Sequence, residues 1–157
     1  MKYWLMKSEP DVFGIEHFKA RPRRTAPWDG VRNYQARNFM RAMQRGDRVL
    51  FYHSSCPQPG VAAIVTVVKE AYPDHSAWDP QSEYYDPKST PQKPLWFMVD
   101  VKLERELKRL IPLEAIKAQP ALKHMRLVQR GNRLSVMPVS AQEWKTILKL
   151  EQEQTRK

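Results

Sequence analysis

Trp28, Asp29, Gly30, Val31, Arg32 and Asn33 stand directly ahead of a stretch with helical periodicity. Ala36, Phe39, Met40 and Met43 recur at i, i+3, i+4 and i+7, which predicts an apolar stripe on a helix starting near Asn33. Arg37, Arg41 and Arg45 recur at i, i+4 and i+8 and predict a basic stripe on another face, with Gly46 as the C-terminal stop. A flat indole, a carboxamide and a row of guanidiniums are suited to holding a base and its phosphates. Extruded or single-stranded bases are gripped by aromatic stacking plus hydrogen bonds to their edges. The competing reading makes Trp28 a core anchor and the arginines a solvated face. Asn33 serves equally well as an N-cap or as a donor and acceptor for a base edge. Ser8 is divided in the same way.

Catalytic chemistry finds less material. His17, His53, His75 and His124 are scattered outside any metal-ligand spacing, and His53 with Cys56 makes only half a zinc site. Asp74-His75-Ser76 contains triad residue types, but sequence neighbours have the wrong geometry for a proton relay. Five glycines in the whole chain leave no phosphate-cradling loop. No metal or cofactor is expected. Trp78 and Tyr84 fall in a long aromatic loop, so stacking is again the better-supplied chemistry.

The elements that must position these groups are those of one domain. The 157 residues are 41% hydrophobic, enough for a single core. Residues 1–150 are expected to form that domain and 151–157 a frayed polar tail. Mean hydropathy is -0.68, and no apolar run approaches the roughly 20 residues that span a bilayer. A lone Cys56 suits a reducing cytosol or nucleus, and a monomer is expected. Net charge is +10, with nine Lys/Arg against two Asp between His17 and Arg48. A localised basic field favours a polyanion through counterion release.

Period-2 patterning predicts strands at Tyr3–Met6, Val49–His53, Val61–Val68 and Leu95–Leu103, with a short last one at Leu134–Pro138. The β-branched run at Val61–Val68 belongs in the middle of the sheet. Ser8 and Asp11 have capping-box spacing ahead of a short helix through Val12, Ile15 and Phe18, and Ser140 with Glu143 repeats that spacing ahead of the final helix. Lys19 to Pro27 reads as a basic loop, and Ala71 to Lys93 as a long, packed one. Strands with peripheral helices and no βαβ alternation predict an α+β fold, a small mixed β-barrel.

Several blocks carry a family resemblance. YWLMKSEP, TAPWDGVRNYQARNFMRAMQRGDRVLFYHSS, PGVAAIVTVVKEAYPD, YYDPKS, PLWFMVDVK and RLSVMPVSAQEW resemble, in order, the blocks of the EVE domain from Lys2 to about Leu150. The resemblance implies a PUA-like barrel related to the ASCH and YTH folds. It also implies a reader of modified bases in DNA or RNA, methylated or hydroxymethylated cytosine above all. By motif, Lys7 and Ser8 would end the first strand beside the pocket and Trp28 would form a wall. Asn33, His53 and Ser54 would stand at its mouth, and Trp78 with Tyr84 would supply the other wall or a lid. Separately from the resemblance, the basic stripe predicts that Arg37 and Arg41, with Arg32 ahead of them, hold phosphates if that helix face lies beside the pocket. The chain departs from the family pattern at Gly14–His17 and Cys56–Pro59. Such a protein is expected in the cytoplasm of a bacterium or the nucleus of a eukaryote. The alternative is a hydrolase of modified nucleosides, as in some ASCH-like relatives, with Lys7 and Glu9 as its only catalytic candidates.

Overall fold

The structure, a computed structural model, describes residues 1–154. In chain order the elements are β1 (Tyr3–Ser8), α1 (Ile15–Lys19), β2 (Thr25–Trp28), α2 (Tyr34–Ala42), β3 (Arg48–His53), β4 (Gly60–Pro73), β5 (Phe97–Pro112), α3 (Leu113–Lys117), β6 (Val136–Val139) and α4 (Ala141–Gln154). The strands form one sheet in the order β2-β5-β4-β3-β1-β6. Only the β1–β3 pair is parallel, because α1, β2 and α2 intervene as its crossover. β4 is buried from Gly60 to Val65 and lies between β3 and β5, where its β-branched, two-faced apolar run places it.

β4 and β5 are longer than expected, and repeated register shifts along their ladder bend them around the core. The sheet nevertheless does not close into a barrel. Its edges, β2 and β6, have four residues each and contain Pro27 and Pro138, which lack the N–H that further pairing needs. β2 is also the strand missed by pattern: Lys19 to Pro27, read as loop, holds a 3-10 turn at Pro22–Arg24 and then pairs with β5 from Thr25 onward.

Three local expectations are corrected. Ser8 stays in β1 and donates its hydroxyl to the Phe13 carbonyl (2.7 Å), so it caps nothing; α1 begins after Gly14, whose N–H donates to His17 Nδ1 (2.8 Å). α2 ends at Ala42 because the buried Asp47 carboxylate accepts the Gln44 N–H (2.9 Å) and folds the chain back toward β3. Arg45 therefore lies off the helix, and Gly46 (φ +95°) sits in that turn rather than at a helical stop. Finally, the polar tail expected from Glu151 begins inside α4. Glu151 is buried and accepts from Arg105 Nη1 (3.0 Å), Arg105 Nη2 (3.1 Å) and the Lys108 N–H (2.7 Å). The rest of that reading, residues 155–157, lies outside the described residues.

The Ser140–Glu143 capping box does form. Glu143 accepts the Ser140 N–H (2.8 Å) and Ser140 Oγ accepts the Glu143 N–H (3.1 Å), which aims Trp144 and Ile147 at the core. Trp144 then stacks on Tyr3 at 4.4 Å and closes that side of the sheet.

Candidate functional site

A cavity of about 600 Å³ opens where β1 and β2 end. That volume is in the range of small-molecule sites, about 300–1,000 Å³. The end of β1 brings Lys7, Ser8 and Glu9, and the end of β2 brings Trp28 followed by the Asp29–Gly30 turn. Glu83 and Tyr84, from the loop between β4 and β5, form the facing wall. β1 is held in place by the Lys7 N–H to the Ser135 carbonyl (2.8 Å) and by the Ser54 N–H to the Ser8 carbonyl (2.9 Å).

Trp28 has a double role. It is only 9% exposed and meets Phe51 edge to face at 5.7 Å, the first contact of an aromatic chain through Phe18 to Phe13. It also lines the cavity, so core anchor and cavity wall are one residue.

The Tyr84 wall depends on a buried ion pair. Arg32 Nη1 stands 3.1 Å from Asp74 Oδ2, and Asp74 has no exposed side-chain surface. Arg32 Nε and Nη2 both donate to the Tyr84 carbonyl, at 3.0 and 2.8 Å. Burial alone would raise the Asp74 carboxyl. The Ser76 hydroxyl (2.6 Å), the Gly30 N–H (2.8 Å) and the Arg32 guanidinium outweigh it and hold the group below its usual value. Gly30 has φ +81°, and a Cβ there would come within 2.7 Å of the Tyr84 ring. The turn and the tyrosine therefore fit together only through glycine. The long loop is packed, as its aromatic content suggested: Trp96 Nε1 donates to Asp86 (2.7 Å) and the Leu95 N–H to the buried Ser89 hydroxyl (3.0 Å).

Three of the cavity's polar groups, Lys7, Asp29 and Tyr84, are shifted toward their neutral forms. Loss of hydration lowers Lys7, which has no ion-pair partner among the described residues and stands 5.8 Å from the Tyr52 ring centroid. Crowding by the cavity walls, and then the Asp74 carboxylate, raise Asp29, although its side chain still reaches water. Burial also raises Tyr84. An amine, a carboxyl and a phenol of this kind can serve the donors and acceptors of a neutral heterocycle.

Of the expected site residues, Lys7, Ser8, Trp28, Arg32 and Tyr84 meet at this cavity, and Asn33, His53, Ser54 and Trp78 do not line it. Asn33 is the N-cap of α2, its Oδ1 accepting the Ala36 N–H (2.9 Å), so its carboxamide is engaged in capping. His53 packs edge-on to Phe51 at 5.3 Å. Its Nε2 and the Trp78 Nε1 are buried without a hydrogen-bond partner among the described residues. The Arg32 donors are committed to Asp74, Ser76 and two carbonyls rather than to solvent. Arg37 donates to the Leu95 carbonyl (2.9 Å) and Arg41 lies over Phe97 at 4.5 Å, both away from the cavity lining. Asp29 and Glu83 were not anticipated, and adjacency to Trp28 and Tyr84 was the one signal for them. No group of three His, Cys, Asp or Glu among the described residues is placed to hold a metal ion, and no helix among them is long and apolar enough to cross a membrane.

The class that this fold defines is PUA-like. The YTH domain of Zygosaccharomyces rouxii MRB1, solved with N6-methyladenosine RNA, matches 96% of this chain and 86% of its own at TM-score 0.55; at 13% identity the likeness concerns the fold alone. Within that class the chain belongs to the EVE domain family, whose profile matches residues 2–150. Thymocyte nuclear protein 1 of Mus musculus is 50% identical, over 96% of this chain and 74% of its own length. A crystal structure of a Pseudomonas syringae protein is 52% identical at TM-score 0.90, covering 95% of this chain and 99% of that one. The human THYN1 protein in complex with 5-methylcytosine-containing DNA is 46% identical at TM-score 0.92, covering 96% of this chain and 98% of that one.

Proposed function

We propose that this protein is a non-catalytic DNA-binding domain that receives a modified base, 5-methylcytosine first, in the cavity between Trp28 and Tyr84. The observation that carries the reading is the likeness to a relative solved with 5-methylcytosine DNA, in a chain whose own strand ends build an aromatic-walled cavity. Trp28 and Tyr84 supply stacking surface, worth about 1–3 kcal/mol per base. Lys7, Ser8 and Asp29 supply the hydrogen-bonding groups. A base must leave its stack to enter, which favours a flipped or unpaired nucleotide. The lone Cys56 suits a reducing compartment, cytosol or nucleus.

Binding is favoured over hydrolysis by the state of the serine hydroxyl that ends β1 at the cavity. Ser8 Oγ donates to the Phe13 carbonyl rather than to a base that would activate it. The test is a pair of titrations with otherwise identical oligonucleotides carrying cytosine or 5-methylcytosine. A buried methyl contributes about 0.8 kcal/mol, so the methylated strand should bind roughly fourfold more tightly. Equal affinities would remove the reading, and release of a free base or nucleoside during the titration would replace it with hydrolysis.

A further inference from the structure

Arg23 (φ 56°, ψ 17°) and Arg24 (φ 51°) lie one after the other in left-handed backbone, in the 3-10 turn that leads into β2. Non-glycine residues avoid this region because Cβ crowds the following carbonyl, and such strain collects at functional sites. Nothing in the packing calls for arginine here. Both side chains are exposed and neither has an ion pair, a side-chain hydrogen bond or a ring contact among the described residues. Their neighbour Arg21 lines the cavity, its guanidinium 5.5 Å from the Phe13 ring centroid.

Apart from Lys7, which lies within the cavity itself, the basic side chains flanking this turn are occupied. Lys19 pairs with Glu106 at 2.9 Å and Glu16 at 3.6 Å, and Arg32 is spent on Asp74 and the Tyr84 carbonyl. Arg37 is bonded to Leu95 and Asn38. The strained turn thus carries guanidiniums with uncommitted donors two and three residues beyond Arg21, which lines the cavity. Their forked donors match phosphate oxygens, and phosphate contacts position a strand while the cavity reads its base.

We propose that Arg21, Arg23 and Arg24 form a phosphate grip at the cavity rim, holding the phosphodiesters that flank the inserted nucleotide. This rests on the nucleic-acid reading above. The test replaces Arg23 and Arg24 together by glycine, which adopts the same backbone without strain. Binding of a 5-methylcytosine oligonucleotide and of its cytosine counterpart is followed from low to high salt, beside a thermal melt. The melting midpoint should hold or rise. Each lost contact should flatten the slope of log K against log salt by about 0.7–0.9, which is roughly a five- to eightfold loss at 0.1 M salt. The ratio between the two oligonucleotides should stay as in wild type. An unchanged slope with wild-type binding intact overturns the grip and leaves the reader standing. Wild-type protein that binds neither oligonucleotide overturns both. If the glycine pair fails to fold, Arg23→Asn with Arg24→Asn, which also tolerates this backbone, is judged by the same slope.

Discussion

Arg32→Ala should destabilise the protein by about 3 kcal/mol, measured as a lowered urea midpoint at neutral pH. The change leaves Asp74 fully buried without its counter-charge, and breaking such a pair from one side costs about 3–5 kcal/mol. The lower end applies because the Arg32 side chain keeps 22% of its exposure. The same change also releases the Tyr84 carbonyl from both of its donors and so loosens one wall of the cavity. Adding Asp74→Asn should restore part of the loss, since it removes the orphaned charge. The pH dependence has a definite sign. Asp74 is held below its usual value in the folded protein, so its contribution is present above the unfolded carboxylate pKa of about 3.9 and disappears as pH falls through the lower folded value. In acid, wild type and Arg32→Ala should converge. A midpoint for Arg32→Ala within about 0.5 kcal/mol of wild type would mean that the loop is held by something else.

Trp28→Ala should lose on two counts. As a nearly buried indole packed on Phe51, it should cost about 3–5 kcal/mol of stability, a large share of what a domain this size has. As a stacking wall, it should cost a further 1–3 kcal/mol, roughly, in binding of the modified base while leaving the salt slope unchanged. Trp28→Phe separates the two effects, because it keeps an aromatic plug in the core while narrowing the wall. Its urea midpoint should lie between the other two proteins, and its discrimination between methylated and unmethylated strands should fall. Trp28→Phe that folds and discriminates as wild type would place the base elsewhere.

Much of this architecture can be read from residue pattern. The β-branched run of β4, the alternation opening β5 and the Ser140–Glu143 capping box each follow from a local rule that the tertiary structure leaves in force. Other features depend on partners far away in the chain. Arg32 reads as a phosphate ligand from its place ahead of a basic helix; the partner that takes up its guanidinium, Asp74, stands 42 positions on. The early end of α2 is imposed by the Asp47 carboxylate, and the helical pattern alone runs past it. β2 escapes notice because Thr-Ala-Pro-Trp is short and holds a proline, properties of an edge strand that also describe a loop. Closure into a barrel, which both the strand pattern and the family resemblance implied, fails at those same proline-bearing edges. The cavity itself was half legible. Lys7, Ser8, Trp28 and Tyr84 come together there, whereas Asn33 is drawn into capping by the first turn of α2.

The central claim concerns where the base sits, and a chemical-shift titration of isotope-labelled protein with a 5-methylcytosine oligonucleotide tests it most directly. The account predicts that the Trp28 indole N–H and the amides of Ser8, Gly30 and Tyr84 move first and furthest, and that they move less with the unmethylated strand. Arg23 and Arg24 should shift with both strands alike. Shifts confined to another face, such as the groove lined by Pro57, Leu113 and Lys117, with Trp28 and Gly30 unmoved, would contradict it.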